Sequence, residues 1–428
     1  MLVGASPRRV AIVGGMRIPF ARGNGAYAQV GNQEMLTAAL RAIVDTYGLA
    51  GQHIDDVAAG AVTKHASQWD LTRESVLGSG LAAETPGVDL QRACGTSVEA
   101  ALMIANKIAL GQIECGIAAG VDTVSDPPVA FPRSYQQLLL KSFRGKSALQ
   151  RVGPWFGLRP KHFRPVLPGV TEPRTGLSMG EHTELMVKTW GITRDEQDQL
   201  ALESHQKAAA AYAAGFYQDL VSDYLGLSQD NNIRTDTTLE KLGRLRPSFD
   251  TSGAGTLTAG NSTPMTDGAA AVLLCSEEWA RERQLPVKAF LAYGKVAAVD
   301  FVDKKEGLLM APAYAVPRML KDANLQLQDF DFYEIHEAFA GQVLCTLKAW
   351  DDPAFCKDKL RLPQVLGTID RSKLNVKGGS IAIGHPFAAT GARIVATLAK
   401  ILEEHNGKRG LVSVCTAGGM GVTAILER

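Results

Sequence analysis

Apolar positions along this chain form short continuous runs that alternate with helical repeats. Val10–Gly14 is a short apolar run ending in glycine, which is typical of a buried strand. Apolar residues then recur at helical spacing from Met35 to Val44. Val98–Leu110 predicts a helix closed by a glycine, and Cys115–Ala119 predicts a strand directly after it. Strands and helices that alternate in this way predict an α/β architecture.

The same alternation returns in the second half of the chain. Thr193 is followed three residues later by Glu196, a capping box that predicts a helix running to a stop at Gly215. A glycine-rich turn at 418–421 separates two apolar runs, and a further helix is predicted over Ala388–Ala399. Three more strands are predicted towards the C-terminus, at Asp331–Ile335, Leu411–Cys415 and Val422–Leu426.

The middle of the chain differs from both flanks. No acidic residue occurs from Pro127 to Thr171, where prolines and aromatic residues interrupt the regular alternation. We therefore expect an inserted loop domain over residues 126–250. The basic residues of this stretch are Arg133, Lys141, Arg144, Lys146, Arg151, Arg159, Lys161 and Arg164.

Three interpretations of this basic segment, residues 127–171, stay open. It is a solvated surface of the loop domain, a site for the phosphates of a substrate, or a docking surface for a membrane or a partner subunit. Gln136–Arg151 interleaves leucines with lysines and arginines, a pattern typical of an amphipathic interfacial helix.

Composition excludes several function classes. The chain has 428 residues, of which 46% are apolar and 21% charged, as in ordinary globular proteins of two or three domains. A net charge of +1 gives no global field for nucleic acid. Six scattered cysteines without a C-x-x-C pair predict neither a disulfide framework nor a metal site, and favour a reducing compartment. Met1–Arg9 lacks the apolar core of a signal peptide, and no apolar run is long enough to span a membrane. We expect a soluble protein of the bacterial cytoplasm.

Three short segments carry candidate chemistry. Cys94 lies immediately before the Val98 helix, where unpaired backbone N–H groups and the helix dipole favour a nucleophilic thiolate. His385, between Gly384 and Pro386, could accept a proton near neutral pH. Cys415 leads into the glycine turn at the end of an apolar strand. Each residue alone has an ordinary structural explanation, as a buried cysteine or a satisfied histidine. Their joint occurrence favours a catalytic site.

The order and separation of these segments resemble those of the thiolase family. The matching segments are Cys94 in its A-C-x-T-S setting, His336–Phe339, Gly260–Pro264 with Asp267–Ala271, Gly384–Pro386, and Cys415-x-x-Gly418-Gly419. The resemblance covers essentially the whole chain. Most thiolases have asparagine where this chain has His336, and a histidine there is similar to the trifunctional-enzyme β-subunit branch of 3-ketoacyl-CoA thiolases.

The resemblance implies a thiolase-like α/β fold, in which two similar α/β/α halves form a five-layered core beside the inserted loop domain. The N-terminal half would comprise residues 1–125 and 251–285, the loop domain residues 126–250, and the C-terminal half residues 286–428. Fatty-acid degradation through 3-ketoacyl-CoA cleavage is the activity that it implies, with coenzyme A as co-substrate and no tightly bound cofactor.

The resemblance also assigns roles to individual residues. Cys94 would attack the keto carbon and hold the shortened acyl group, His385 would take the Cys94 proton, and Cys415 would protonate the departing acetyl-CoA carbanion. One oxyanion site would use His336 with His385, and the other the backbone N–H groups of Cys94 and Ala417. Contacts with coenzyme A would come from Ser262, Thr263, Met179 and Phe339. Two departures from the family are Ala417, where a glycine is common, and Ser178, where some members have histidine or arginine.

Alternatives from other classes stay open. A biosynthetic acetoacetyl-CoA thiolase would use the same groups. A ketoacyl synthase would use two histidines and lack the second cysteine motif, so Cys415 argues against it while His336 is compatible with it. A non-catalytic lipid-binding relative would be expected to lose one of these residues. As partners, the resemblance implies acyl-CoA and a homodimer or homotetramer, and leaves open a hydratase–dehydrogenase subunit and peripheral membrane contact through 127–171.

Overall fold

A computed structural model describes residues 7–428 of the chain, so the expectation for Met1–Arg9 lies largely outside the described residues. Within that range the chain forms ten strands: β1 (Val10–Arg17), β2 (Ala21–Arg22), β3 (Asp56–Ala59), β4 (Gly87–Asp89), β5 (Cys115–Asp122), β6 (Thr266–Ser276), β7 (Ala289–Ala298), β8 (Phe332–Ile335), β9 (Arg409–Thr416) and β10 (Met420–Glu427).

Thirteen α-helices accompany these strands in the described chain: α1 (Asn32–Tyr47), α2 (Leu71–Ser79), α3 (Thr96–Ala109), α4 (Arg133–Arg144), α5 (Ala148–Val152), α6 (Met179–Trp190), α7 (Arg194–Ala213), α8 (Leu239–Gly243), α9 (Glu277–Glu282), α10 (Ala311–Ala323), α11 (Ala340–Asp351), α12 (Ser380–Ile383) and α13 (Thr390–Glu404). Shorter 3₁₀ or π turns lie at Ala66–Gln68, Gly153–Gly157, Pro160–Phe163, Leu327–Asp329, Phe355–Lys359, Arg371–Lys373 and Phe387–Ala389.

The sheet shows that the chain is built from two similar halves. Its strand order is β4-β3-β5-β6-β1-β7-β10-β9-β8, with β2 attached to β6. β3 pairs parallel with β5, which pairs antiparallel with β6, which pairs antiparallel with β1. β8, β9, β10 and β7 repeat these relations in the same sequence. The halves join where β1 meets β7, at Ala11↔Phe290 and Ile12↔Ala289.

Side-chain alternation along the strands divides the core into three apolar layers. In β1, Val10 and Ile12 belong to a central cluster with α3 and α13, while Ala11 and Val13 face an outer cluster with α1 and α2. In β10, Val422 and its even-numbered neighbours face the same central cluster, and Ile425 faces a second outer cluster with α10 and α11. Because side chains alternate across a strand, each half-sheet separates two helical layers. The predicted five-layered α/β core is confirmed.

Local capping chemistry explains where several of these elements begin and end. The Thr193 hydroxyl accepts a hydrogen bond from the Glu196 backbone N–H, and the Glu196 carboxylate accepts one from the Thr193 N–H at 2.7 Å, as the predicted capping box requires. Gly215, just after the end of α7, has φ of 76°, which a side chain would disfavour. The predicted strands and helices of the two flanks are all present.

Two sequence expectations are wrong in detail. The glycine turn is shorter than 418–421, because Met420 already pairs with Thr416 at the start of β10. The amphipathic segment Gln136–Arg151 is not one helix: the chain is extended at Gly145 and restarts at α5, where the Ser147 hydroxyl accepts from the Gln150 N–H.

The chain between β5 and β6, residues 123–265, carries α4 to α8. The first part of this insertion presents apolar residues to solvent, with Phe143 and Phe156 each 86% exposed, whereas Tyr135 and Leu138 of α4 are buried. Among residues 7–428, none of the helices combines the length and the apolar character that crossing a bilayer would require.

Candidate active site

Cys94 lies on a tight turn directly before α3. Ala93 takes a φ of 44°, an uncommon conformation for a residue with a side chain. The Thr96 hydroxyl holds this turn by accepting from the Arg92 N–H at 2.9 Å and donating to the Ala93 carbonyl at 2.7 Å. Gly95 allows close packing on β10, since a Cβ there would lie 2.8 Å from a Val422 methyl. The turn thereby fixes the position of the thiol.

His385 reaches the same point from the other half of the molecule. It follows α12 and a glycine, Gly384, with φ of 112°. Its Nε2 lies 3.1 Å from the Cys94 sulfur, and its Nδ1 lies 2.6 Å from the Thr390 hydroxyl. With the proton on Nδ1 donated to Thr390, Nε2 is free to accept the thiol proton. This geometry is that of a nucleophile and its base.

Burial controls the protonation of this pair. Desolvation raises the pKa of Cys94 to about 12, although the backbone N–H groups of Ala417 and Cys94 act to lower it. Burial, and then the charge of Arg393, lower the pKa of His385 to about 3. The helix N-terminus is expected to favour a thiolate, and desolvation of the thiol acts in the opposite direction and is the larger effect on its pKa. The resting pair is therefore a thiol beside a neutral imidazole.

His336 lies at the end of β8, where its backbone N–H donates to the Ser413 carbonyl at 2.8 Å. Its ring centroid is 4.2 Å from that of His385, and its Nδ1 is 2.8 Å from the Ser380 hydroxyl. Complete burial, then the charges of His385 and Arg393, hold the pKa of His336 well below its usual value. His336 therefore stands in the site as a neutral imidazole.

Cys94, His336 and His385 each offer a ligand atom, and these atoms all lie within 4.8 Å of one another. Thiolate and imidazole are ligands that zinc and other soft ions accept. The expectation that the protein has no metal site therefore stays a prediction.

Cys415 is on β9 opposite Gly421 and is 1% exposed. Burial raises its pKa well above that of a free thiol, and the nearby charge of Cys94 raises it further. The two cysteines also have neighbours in contact, since a Cβ on Gly95, next to Cys94, would lie 3.0 Å from a methyl of Thr416, next to Cys415. A neutral thiol that keeps its proton at physiological pH can act as a proton donor.

The turn after β9 completes the site. Ala417 lies in the wall of the same cavity as Cys94, and its backbone N–H acts to lower the pKa of the Cys94 thiol. Gly418 and Gly419 have φ of 76° and 68°, so the turn depends on glycine. The Gly418 N–H donates to the carboxylate of Glu172 at 2.6 Å, and Glu172 is 6% exposed. The insertion thus holds the turn that faces the nucleophile.

A cavity of about 410 Å³ opens onto Cys94. Its walls come from the turn at Arg92–Cys94, from residues 168–173 of the insertion, and from Met179, Phe387 and Ala417. Of the four side chains expected to contact coenzyme A, Met179 lines this cavity and the other three do not. The Thr263 hydroxyl donates to the Ser380 carbonyl at 2.7 Å, and Phe339 packs edge-on against Phe249. The Ser262 hydroxyl is buried and has no hydrogen-bond partner among residues 7–428.

Sequence analysis missed four residues that hold the site together: Ser380, Thr390, Arg393 and Glu172. Thr390 and Ser380 flank His385 within one motif, so their small polar side chains were a usable signal. Arg393 lies in an apolar helix and is 2% exposed, and a buried arginine in such a helix also indicates a special role. Nothing in the sequence connects Glu172 with Gly418.

Comparison with known proteins is consistent with this geometry. The profile described as the thiolase N-terminal domain matches residues 10–278, and that described as the thiolase C-terminal domain matches residues 287–428. Curated 3-ketoacyl-CoA thiolases of Yersinia pestis (strain Pestoides F) and Yersinia pseudotuberculosis serotype O:1b (strain IP 31758) are each 39% identical over 432 aligned positions, which cover 100% of this chain and 98% of theirs.

Among solved structures, the acetyl-CoA acetyltransferase of Bacillus anthracis superposes with a TM-score of 0.82 at 29% identity. The superposition covers 99% of this chain and 100% of that one.

Proposed function

The chain belongs to the thiolase family and is an acyltransferase, and from that premise we propose that it degrades fatty acids as a 3-ketoacyl-CoA thiolase (acetyl-CoA C-acyltransferase). It would cleave 3-ketoacyl-CoA with CoA to acetyl-CoA and a shortened acyl-CoA in β-oxidation. The observation that carries the proposal is the 3.1 Å contact between the Cys94 sulfur and His385 Nε2.

In the first half-reaction, Cys94 forms a carbon–sulfur bond to the keto carbon as His385 takes its proton. The bond between the α- and β-carbons then breaks, leaving the shortened acyl group as a thioester on Cys94. The electron pair departs with the acetyl-CoA carbanion, which receives a proton from Cys415. In the second half-reaction, the Cys415 thiolate takes the proton of the CoA thiol, and the CoA sulfur attacks the thioester carbon. The bond from that carbon to Cys94 breaks, and the Cys94 sulfur recovers its proton from His385. The raised pKa values of both thiols support these roles, because each thiol holds its proton until it is needed.

Charge develops on oxygen in these steps, so the site needs fixed donors. The N–H groups of Cys94 and Ala417 would form one oxyanion site, which is supported by the position of both residues in the wall of one cavity. His336 and His385 would form the other, supported by the 4.2 Å separation of their rings.

Coenzyme A would act as co-substrate, with no tightly bound cofactor. The cavity at Cys94 supports entry of the pantetheine arm past Met179. Contacts at Ser262, Thr263 and Phe339 are proposed for other parts of coenzyme A. The contact at Ser262 is the best supported of the three, because its buried hydroxyl has no hydrogen-bond partner among residues 7–428.

The direct test is to mix the protein with a 3-ketoacyl-CoA and CoA and to measure acetyl-CoA. We expect turnover in the wild type and a loss of at least about 10⁴-fold in Cys94→Ala, since removing a catalytic nucleophile has an effect of that order. Cys345→Ala, which changes a buried cysteine of α11 in the outer core, is the matched control. Near-normal turnover of Cys94→Ala would refute the assignment.

A biosynthetic acetoacetyl-CoA thiolase is the second candidate, favoured by the similarity to an acetyl-CoA acetyltransferase structure. Thiolysis rates across acyl lengths separate the two: a degradative enzyme cleaves long 3-ketoacyl-CoA, while a biosynthetic one is restricted to acetoacetyl-CoA. A ketoacyl synthase would instead release carbon dioxide from a malonyl thioester.

The proposed division of the chain is residues 1–125 with 251–285 as the N-terminal half, 126–250 as the loop domain, and 286–428 as the C-terminal half. It is supported by the position of the insertion between β5 and β6 and by the meeting of the halves at β1 and β7. A homodimer or homotetramer is proposed as the assembly, with a hydratase–dehydrogenase subunit as a further partner. Sedimentation of the protein alone and with that subunit tests both.

Residues 127–171 are proposed to contact an anionic membrane surface peripherally, with the protein otherwise in the bacterial cytoplasm. Exposed Phe143 and Phe156 beside the lysines and arginines of this stretch support the proposal. Co-sedimentation with phosphatidylglycerol vesicles should fall in Phe143→Ser/Phe156→Ser. Equal binding by wild type and variant, or binding only to the partner subunit, would contradict membrane contact.

A further inference from the structure

A buried chain of hydrogen bonds runs from Arg393 through Ser380 to His336. Arg393 on α13 donates from Nη2 to the Ser380 hydroxyl oxygen at 2.8 Å. The same oxygen lies 2.8 Å from Nδ1 of His336. All three side chains are at most 2% exposed, so water cannot replace any of these partners freely.

The number of protons decides the direction of each bond. Arginine only donates, so Arg393 occupies a lone pair of the Ser380 oxygen. Ser380 has one hydroxyl hydrogen, and among the described residues its only other hydrogen-bond partner is His336 Nδ1. If Nδ1 donated to Ser380 instead, the buried hydroxyl hydrogen would have no acceptor, which folded proteins avoid. Ser380 therefore donates, and Nδ1 of His336 accepts.

A neutral imidazole that accepts at Nδ1 carries its proton on Nε2. That nitrogen is buried and has no hydrogen-bond partner within residues 7–428. The ring of His336 borders the reaction centre: one of its nitrogens, a nitrogen of His385 and the Cys94 sulfur lie within 4.8 Å of one another, and the two rings are 4.2 Å apart. Because Nδ1 of His336 is bonded to Ser380 and Nε2 of His385 is paired with the thiol, the Nε2–H of His336 remains available to a substrate oxygen.

We propose that Ser380, held by Arg393, is a positioning residue that fixes His336 as the tautomer whose Nε2–H donates to the developing substrate oxyanion. The proposal rests on the proposed function, because only a carbonyl substrate supplies that oxygen. Arg393 makes the arrangement one-directional: a guanidinium cannot accept, so the hydroxyl hydrogen has to point at His336. Its positive charge also disfavours the imidazolium form of His336.

The tautomer can be measured without substrate. The ¹⁵N chemical shifts of labelled histidine distinguish a protonated ring nitrogen from an unprotonated one, and His336→Ala identifies the His336 signals. In the full-length wild type we expect Nε2 protonated and Nδ1 unprotonated, with one set of signals. In Ser380→Ala we expect signals of both tautomers. A wild-type spectrum with Nδ1 protonated would overturn the proposal.

Kinetics test the consequence for catalysis. Ser380→Ala should lower kcat about 10- to 100-fold, less than the loss of an oxyanion donor itself, and leave KM within about twofold. Ser413→Ala is the matched control, because Ser413 is 1% exposed on β9 and its hydroxyl has no hydrogen-bond partner among residues 7–428. That control should retain kcat within about twofold.

A double-mutant cycle separates positioning from general loosening of the fold. If Ser380 acts through His336, Ser380→Ala should have no further effect on kcat in a His336→Ala background. A loss of the same size in both backgrounds would overturn the proposal. Failure of the proposed function would look different, since the wild type would not cleave 3-ketoacyl-CoA although its His336 spectrum showed the expected tautomer.

Discussion

The two halves of the molecule place equivalent helices at the site and give them different chemistry. α3 and α13 both begin beside the reaction centre, and in each the first residue is a threonine. Thr96 uses its hydroxyl to hold the backbone turn that presents Cys94. Thr390 uses its hydroxyl to hold the ring of His385. One fold position thus orients the proposed nucleophile in the first half and its proposed base in the second.

The connections that follow differ more strongly. In the first half, β5 reaches β6 through residues 123–265, whereas in the second half β9 reaches β10 through residues 417–419. The two meet where Glu172 of the long connection accepts a hydrogen bond from Gly418 of the short one. The short turn contributes Ala417 and Gly418 to the wall of the cavity at Cys94, and the long insertion contributes residues 168–173 to the same wall. Two equivalent connections of very different length therefore line one cavity.

Among the changes that test this comparison, the largest effect is expected at Cys415, near the end of β9. Cys415→Ala removes the proposed proton donor, so thiolysis of 3-ketoacyl-CoA should fall by at least about 10²-fold. Exchange of labelled CoA into acyl-CoA, which breaks no carbon–carbon bond, should fall much less. Equal loss in the two assays would contradict the proton-donor role of Cys415.

Replacing the two equivalent threonines should separate activity from stability. Thr390→Val frees the ring of His385, and kcat should fall about 10-fold, with recovery in Thr390→Ser. Thr96→Val leaves the half-buried Arg92 N–H without its acceptor, and the free energy of unfolding should fall by about 1 kcal/mol. Steady-state kinetics and urea unfolding of both variants measure kcat and the free energy of unfolding. Equal changes of both quantities in the two variants would contradict the comparison.

His385 should also affect how the free energy of unfolding depends on pH. Burial lowers the pKa of His385 to about 3 in the folded state, so the unfolded chain binds more protons below about pH 6.5. The stability that neutral His385 contributes is therefore present above pH 6.5 and is lost as the pH falls towards 3.

His385→Asn should accordingly show a shallower loss of unfolding free energy between pH 6.5 and 4 than the wild type, by at most about 1.4 kcal/mol per pH unit. Urea unfolding at a series of pH values measures the slopes. The buried carboxyl groups of Asp122 and Glu334, whose pKa values burial raises to about 6 and about 8, act in the opposite direction but are present in both proteins. A slope unchanged by the substitution would argue against a buried neutral His385.

The smallest effect is expected at the contact between the two connections. Glu172→Ala leaves the Gly418 N–H without its acceptor, so kcat/KM should fall about 3- to 10-fold, the value of roughly one hydrogen bond. Glu172→Gln should restore most of the loss, because the amide oxygen still accepts. Glu240→Ala, an exposed change on α8 of the same insertion, should have no effect. A loss of kcat/KM of equal size in Glu240→Ala would contradict a specific role of the Glu172–Gly418 contact, because activity would then respond to any change in the insertion.

Much of this architecture could be predicted because the signals are local. Apolar periodicity located β1, α3, β5 and β9, and the capping box at Thr193 located α7, since these patterns depend on neighbours within a few residues. The errors have local causes too. Gly145 breaks the amphipathic helix, and antiparallel pairing of Met420 with Thr416 shortens the glycine turn. Periodicity alone does not register either event.

By itself, the sequence determined which residues are candidates for the chemistry: Cys94, His385, Cys415 and His336 are recognisable from short motifs whose residue types have few other uses together. Only the tertiary structure decided the surroundings of these residues. The pKa of Cys94 is raised by desolvation, which depends on packing around the thiol and not on the helix N-terminus that the sequence does reveal. The Arg393–Ser380–His336 chain and the Glu172–Gly418 contact likewise join distant positions, and no local pattern encodes a contact that forms only when the layers pack.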